Sequence, residues 1–453
     1  MVFSSITFLY LFLPVTLAVY LLVPGRAKNI WLLAVSLIFY AFGEWKYLGL
    51  LAASILVNYG SGLLIERSRA QDGKTVPARL ILVLSLILNL GALAVFKYLD
   101  LLTAVGLALP IGISFFTFQG ISYVVDVYRG KIRAQRNPVD FAMYIALFPQ
   151  LIAGPIVRYS EIEGQLRPGA RKADGTELGE GMERFILGLG KKVLIANTCA
   201  AIVSLCGELT EGNMLSVSAA WLGAVAYMLQ IYFDFSGYSD MAIGIGRCLG
   251  FTFPENFDHP YEAGSITEFW RRWHMTLSSF FREYVYIPLG GNRRGTARQI
   301  LNLLIVWALT GLWHGAAVNF ILWGLYYFAF LVLEKFVLKR LLEKLPPILT
   351  HIYALFVVLI GWVIFAAEDL PGFLTQLGAM FGHAAAGNET ALFYWKEYGI
   401  LLVVFGLLST HWPKKLYERF PWGVRLALGI LILVLSTASL IGGSYNPFLY
   451  FRF

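Results

Sequence analysis

Two histidines, His274 and His314, stand out among the six in this chain of 453 residues. Each follows a tryptophan, in "WRRWHMTLSSF" and in "LTGLWHGAAVNF", and forty residues separate them. His314 lies in an apolar run from Leu301 to Leu333, whose first flanking charges are Arg298 and Glu334. An ionisable side chain inside a membrane-type segment marks a functional site by default. A neutral imidazole in a low-dielectric cavity is what a general base requires, although a histidine satisfied by a neighbouring carbonyl or indole would also be tolerated there. His274 keeps different company. Arg271, His274, Ser278 and Arg282 follow one another at i, i+3, i+7 and i+11, so a single helix would present them as one stripe. The arginines of that stripe could hold a phosphate or carboxylate, or could simply meet head groups and water.

Other polar groups offer less. Asp234 and Asp240 in "YFDFSGYSDMAIG" are six positions apart, about 240° around a helix, so they form no paired-carboxylate site. Each is expected to cap a helix or to hold a basic partner such as Arg271. His351, His383 and His411 fall at span ends or in loops, and His259 in "ENFDHPY" is read as fixing a turn. Cys199, Cys206 and Cys248 show neither disulfide nor metal-ligand spacing, so no bound metal is expected. No Walker A, GxSxG, HExxH or dinucleotide-binding pattern occurs in a credible context. An ATP-driven pump, a serine hydrolase and a zinc protease are thereby disfavoured. What is left is a histidine-dependent transfer reaction whose activated substrate arrives ready-made.

The elements that position these residues follow from composition. Hydrophobic residues make up 58% of the chain and charged residues only 14%, against about 25% charged in globular proteins. The fold class is therefore an all-α polytopic membrane protein, with the lipid bilayer as its medium. The net charge of +8 marks cytoplasmic loops rather than a nucleic-acid partner. Candidate membrane segments are 6–23, 30–42, 47–65, 80–96, 101–127, 139–157, 184–207, 216–235, 301–333, 350–367, 395–409 and 424–441, giving about 11–13 once the longest is divided. The opening "MVFSSITFLYLFLPVTLAVYLLVP" lacks a basic n-region and reads as a retained first span. Basic clusters at Arg26 and Lys28, at Arg67 to Arg79 and at Arg129 to Arg136 share the cytoplasmic side if the N-terminus lies outside. No repeat or low-complexity tail divides the chain, so residues 1–453 are expected to form one domain.

Two segments resist simple readings. At 1.5 Å per residue the 33 residues of 301–333 would make a helix of about 50 Å, against a hydrocarbon core of about 30 Å. A break or bend is expected, with Gly311, Gly315 and Gly324 as weak points and His314 facing a cavity beside it. Segment 266–289 reads as one amphipathic helix bounded by Pro288 and Gly290–Gly291. Phe269, Trp273, Leu277, Phe280, Phe281 and Tyr284 form its aromatic face, suited to a membrane interface.

"WRRWHMTLSSFFREYVYIPLGGNR" (270–293) followed by "LTGLWHGAAVNFILWG" (309–324) resembles the membrane-bound O-acyltransferase (MBOAT) family. The bacterial branch it resembles holds the alginate O-acetyltransferase membrane subunit and the D-alanyl transfer protein of teichoic acids. The likeness extends through "MVFSS", "LPIGISFFTFQGISYVVDVYRG" (109–130), "FPQLIAGPIVRY" (148–159), "DFSGYSDMAIG" (234–244) and the closing "YFRF", and these blocks favour the alginate type. The resemblance implies short, broken and re-entrant helices ringing a thin central funnel. It also implies that His314 and His274 are the family's two catalytic-centre histidines. An acyl group would pass from a cytoplasmic thioester donor, acetyl-CoA or an acetyl carrier, toward hydroxyls of an exported or cell-surface polysaccharide. No bound cofactor is implied. A separate extracytoplasmic acetyltransferase partner and a multi-pass location in the bacterial cell membrane are.

With that chemistry in view, His314 is expected to act as general base. His274, Arg271, Arg282, Asp234, Trp313 and Asn319 are candidates to supply hydrogen-bond donors or to position substrate or donor. Two other functions stay open at this point: D-alanyl transfer to teichoic acid, and a non-catalytic transporter of an acyl carrier or glycan built on broken midplane helices.

Overall fold

The computed structural model describes residues 2–70, 76–103, 109–211, 214–443 and 449, and among these there are helices and no strand. Seven helices among the described residues are long and apolar enough to cross a membrane. Segment 216–235 lies in a 32-residue helix, Val217–Cys248, that is not among the seven, and other apolar segments fold as shorter pieces. Segment 139–157 is one of those. Helix Pro138–Ala146 stops before Phe148–Leu151, and neither could span. Segment 101–127 is likewise not one helix, because a new one opens only at Ile113 after Gly112 at φ 79°.

The chain divides into two compact units. The first comprises residues 1–188 and 238–255. Its long helices are α1 (Lys28–Glu44), α2 (Leu48–Ala70), α3 (Ala78–Thr103) and α4 (Ile113–Arg129). Apolar faces cannot choose partners in lipid, so polar glue specifies the packing. Here Asn58 of α2 and Asn89 of α3 exchange hydrogen bonds at 3.0 Å in both directions, each buried. The second and third basic clusters also meet in this unit. Arg69 donates to the Val127 carbonyl at 2.9 Å, and Arg136 pairs with Glu66 at 3.0 Å.

The second unit comprises residues 189–237 and 256–453. Helix α5 (Val217–Cys248) contributes its residues up to Gly237. Next come two seven-residue helices, α6 (Ile266–Arg272) and α7 (Met275–Phe281). Then follow α8 (Thr296–His314), α9 (Val318–Leu333) and α10 (Pro347–Ala366). Their aromatic side chains pack one continuous core that includes Phe269, Trp273, Trp307, Trp323, Tyr327, Trp362 and Phe365.

The long apolar run 301–333 resolves its excess length by folding back. Helix α8 ends at His314, residues 315–317 turn, and α9 returns beside α8. Only Gly315 of the three glycines marks the break. Gly311 and Gly324 do something else. A Cβ on Gly311 would strike the Phe320 carbonyl oxygen, and one on Gly324 would lie 2.5 Å from the Trp307 carbonyl oxygen. These pairings run in opposite directions along the two helices, so α8 and α9 form an antiparallel hairpin with backbone in contact with backbone.

Candidate functional site

His314 occupies the tip of that hairpin, where α8 ends. Its ring lies 4.6 Å from that of Trp313 and 5.0 Å from that of Trp323, which stands perpendicular to it. Phe365 of α10 stands perpendicular at 5.0 Å, and Phe320 is nearly parallel at 6.1 Å. The side chain is half-buried in this aromatic setting.

The expected amphipathic helix over 266–289 is interrupted. Helix α6 ends at Arg272, Trp273 is extended, and His274 takes φ 44°, ψ 53° before α7 begins. His274 and His259 are the only non-glycine residues at positive φ among those described. For a residue with a Cβ this left-handed conformation costs on the order of 1–3 kcal/mol, so surrounding bonds must impose it. They come from the loop before α6. Met275 N–H donates to the Asn256 carbonyl at 2.9 Å, and Asp258 N–H donates to the Arg272 carbonyl at 2.9 Å. This loop brackets His274 from both sides.

Asn256 also sets the protonation of the ring. Its Oδ1 accepts the Thr276 hydroxyl at 2.9 Å and the Thr276 N–H at 3.4 Å, and it lies 3.1 Å from His274 Nδ1. An atom addressed by two other donors is the amide oxygen, so Nδ1 donates to it and Nε2 keeps its lone pair. Burial pushes this imidazole down to about 3. His274 is thus neutral across the physiological range, with one basic nitrogen available.

Both histidines line one cavity of about 860 Å³, within the size range of small-molecule sites. Arg271, Ser278 and Arg282 line it too, so the whole polar stripe read from the sequence faces this space although no single helix carries it. The expected aromatic face is packed inside the protein rather than laid on a membrane interface, with Phe269, Trp273, Leu277, Phe280 and Phe281 all buried, and Trp273, Leu277 and Phe281 line the same cavity. Sequence reasoning missed three further cations on the cavity wall, Arg293, Arg294 and Lys335. "GGNRR" was visible as a basic turn, but nothing local aimed it. Among the described residues no aspartate or glutamate lines the cavity, so five positive side chains face it without a lining counter-charge. Such a wall favours an anionic ligand.

Glu334 was also missed. It is only 4% exposed, and it accepts the N–H groups of Ile266 and Thr267 at 2.6 and 2.8 Å and the Thr267 hydroxyl at 2.7 Å. This carboxylate satisfies the open donors at the N-terminus of α6, where a negative charge is stabilised. It therefore fastens the helix bearing Arg271 to the chain just beyond α9.

Three candidates lie away from the cavity wall. Asp234 pairs with Lys192 at 2.8 Å, not with Arg271, and it accepts the Leu449 N–H at 2.8 Å. Asp240 takes Arg184 as partner at 2.9 Å. The two carboxylates thus hold basic residues brought to them by the fold. Asn319 donates through Nδ2 to the carbonyls of Phe365 and Ala367 at 3.2 and 2.7 Å, which ties the start of α9 to the end of α10. Trp313 is buried between the histidines, its ring 6.3 Å from that of His274. Outside the cavity, His411 meets Glu262 at 2.6 Å, and His259 meets Asp258 at 3.2 Å in its turn.

Residues 37–370 match the sequence profile of the membrane-bound O-acyltransferase family. The chain is 38% identical to the probable alginate O-acetylase of Azotobacter vinelandii, over all of both chains. It is 43% identical to the protein of that name in Pseudomonas aeruginosa, over 92% of this chain and 83% of the relative. It is 37% identical to the peptidoglycan O-acetyltransferase of Helicobacter pylori, over 100% of this chain and 98% of the relative. A cavity lined by the two tryptophan-linked histidines, a helical membrane architecture and these matches agree, and the chain belongs to the membrane-bound O-acyltransferase family as a multi-pass O-acyltransferase.

Proposed function

We propose that this enzyme moves an acetyl group from a thioester donor, acetyl-CoA or an acetyl carrier, toward hydroxyls of an exported or cell-surface polysaccharide, with His314 as general base. The observation that carries the reading is the shared cavity. His314 and His274 line it, and its wall bears Arg271, Arg282, Arg293, Arg294 and Lys335 with no carboxylate among the described residues. Thioester carriers of this class present phosphates, which such a wall attracts, while the aromatic side chains around His314 suit a small acyl group. Similarity to alginate O-acetylases over the full chain supports acetyl as the acyl group.

In this mechanism the acceptor hydroxyl attacks the thioester carbonyl carbon while His314 takes its proton. A C–O bond forms and the carbonyl oxygen becomes an oxyanion. Its collapse breaks the C–S bond, and the thiolate leaves with the proton returned by the imidazolium. His274 Nε2 can accept a hydrogen bond from acceptor or carrier, and its neutrality spares the site a competing charge. Arg271 and Arg282 hold donor phosphates. A partner outside the cytoplasm finishes transfer to the polymer, and the enzyme works in the bacterial cell membrane.

The test replaces His314 with alanine, confirms equal membrane abundance, and measures acetyl esters on the cell's surface polysaccharides. Esters should be lost, and undiminished acetylation would end the proposal. Supplying purified protein with acetyl-CoA or with a D-alanyl carrier then separates acetyl from D-alanyl transfer.

A further inference from the structure

The block "ENFDHPY" reads as a turn in sequence, yet in the fold two of its residues close on the second histidine of the cavity. Asn256, 2% exposed, sets its Oδ1 3.1 Å from His274 Nδ1, and the Phe257 ring lies 6.2 Å from the imidazole. The same oxygen takes the Thr276 hydroxyl and N–H, so the amide cannot turn over without losing both. His274 itself is 5% exposed and lines the cavity, whereas Asn256 does not. With Nδ1 turned to Asn256, Nε2 lies on the far side of Cε1, where no described residue bonds it. Nor is it sealed in, as the indole nitrogens of Trp313 and Trp323 are.

Charge decides which residue suits this place. Glu255 and Asp258 lie one and two positions from Asn256, yet Glu255 turns to Arg184 at 2.7 Å and Asp258 to His259 at 3.2 Å. The neutral residue of the three stands against the imidazole. An amide oxygen holds Nδ1–H and leaves Nε2 bare, whereas a carboxylate there would favour the imidazolium and put a proton on Nε2. The other titratable and charged groups on the cavity wall are Arg271 and Arg282 of the same stretch, Arg293 and Arg294 of the next turn, Lys335 beyond α9, and His314. His314 is the only other imidazole among them.

We propose that Asn256 is a positioning residue of this acyltransferase, holding His274 in the one tautomer and the one charge state that present the Nε2 lone pair to the cavity. The proposal rests on the acyl-transfer reading above, in which that nitrogen accepts a hydrogen bond from acceptor or carrier. Asn256 acts through the imidazole. Its side chain can be exchanged without cutting the backbone bracket, because Met275 N–H bonds the Asn256 carbonyl and Asp258 N–H bonds the Arg272 carbonyl.

The experiment exchanges the amide for a carboxylate of the same shape. Asn256→Asp keeps acceptors for Nδ1 and for both Thr276 donors, so a merely structural asparagine would be replaced with no change in pH profile. Acetyl transfer from acetyl-CoA is measured across the neutral and alkaline range. At neutral pH kcat should fall roughly 10–100-fold, as when partners that orient metal-bound histidines are lost, and should recover as rising pH strips the proton from Nε2. A native pH profile would overturn the proposal. In a His274→Asn background the same exchange should leave the profile where it was, and a shift there would overturn it equally. A second readout needs no activity. In ¹⁵N-histidine protein, the signals that vanish in His274→Asn should be a protonated Nδ1 and a bare Nε2 in the native chain, and two protonated nitrogens in Asn256→Asp. A native Nε2 that carries the proton would refute the tautomer. Should Asn256→Asp fail to insert, Asn256→Ala takes its place: the single tautomer should be lost, and native signals would refute the positioning. A native protein that transfers no acetyl would bring down the acyl-transfer reading, and the nitrogen signals then test the positioning by themselves.

Discussion

Gly324→Ala tests how tightly the hairpin tip fixes His314. A Cβ at this position would lie 2.5 Å from the Trp307 carbonyl oxygen and 3.4 Å from the Cα of Gly311, whereas ordinary contacts begin at about 3.4 Å. Roughly 0.9 Å must therefore be found, and the obstacle is backbone on both sides, which cannot rotate away. Overpacking of this kind costs about 1–3 kcal/mol. The larger effect is on catalysis. Prising α9 from α8 displaces His314, at the end of α8, relative to Trp323, which sits one residue before the substituted glycine. A misplacement of about 1 Å in a catalytic constellation can cost on the order of 10²-fold in rate. Purified Gly324→Ala should therefore show a kcat about 10²-fold lower and a moderately lower melting temperature. Gly91→Ala is the control, because a Cβ there meets nothing within 4 Å and α3 should gain slightly from the better helix former. Native kcat in Gly324→Ala, with correct insertion, would show that the hairpin contact does not position the base.

Other parts of the structure make equally direct predictions. Lys192→Met strands the Asp234 carboxylate, whose partner is buried as deeply as it is, and should destabilise the protein by about 3–5 kcal/mol. Adding Asp234→Asn should recover much of that loss, and melting curves that show no recovery would refute the pairing argument. His274 is held near 3 in the fold against 6.5 in the unfolded chain, so the unfolded state takes up its proton first as pH falls. Its contribution to stability is flat above about pH 6.5 and declines below it, by at most about 1.4 kcal/mol per pH unit. Melting temperatures measured from pH 7 to pH 4.5 should fall more steeply for the native protein than for His274→Asn, asparagine being tolerant of the left-handed backbone. Parallel slopes would contradict the burial argument. Glu334→Gln turns one acceptor of the α6 N-terminus into an amide and loosens the helix carrying Arg271. Its KM for acetyl-CoA should rise several-fold with kcat less affected, and an unchanged KM would show that the clamp plays no part in donor binding.

Much of this was legible in the sequence for reasons of length and polarity. Residues 301–333 could not be one span, and the break falls next to His314, where Gly315, a poor helix former, takes an extended backbone. Gly311 and Gly324 show the limit of that reasoning. Read singly they looked like weak points, yet they serve close packing, which only the pairing of two helices reveals. The polar stripe from Arg271 to Arg282 was correctly seen to share one environment. Periodicity alone, however, carries one helix through His274, because it holds no information about a single left-handed residue. That residue is imposed by Asn256, 18 positions upstream, through a contact no local pattern encodes. Asp234 was assigned a basic partner without the means to name Lys192, since side-chain pairing across helices depends on their packing.

The proposed function depends on His314 as the base of acyl transfer. The most direct measurement is single-turnover transfer of labelled acetyl from acetyl-CoA by protein in lipid nanodiscs, comparing the native enzyme with His314→Ala and His314→Gln. Transfer should slow by about 10²–10⁴-fold in both variants while donor binding, measured separately, stays as it was. Variants that transfer acetyl at the native rate would contradict the central claim.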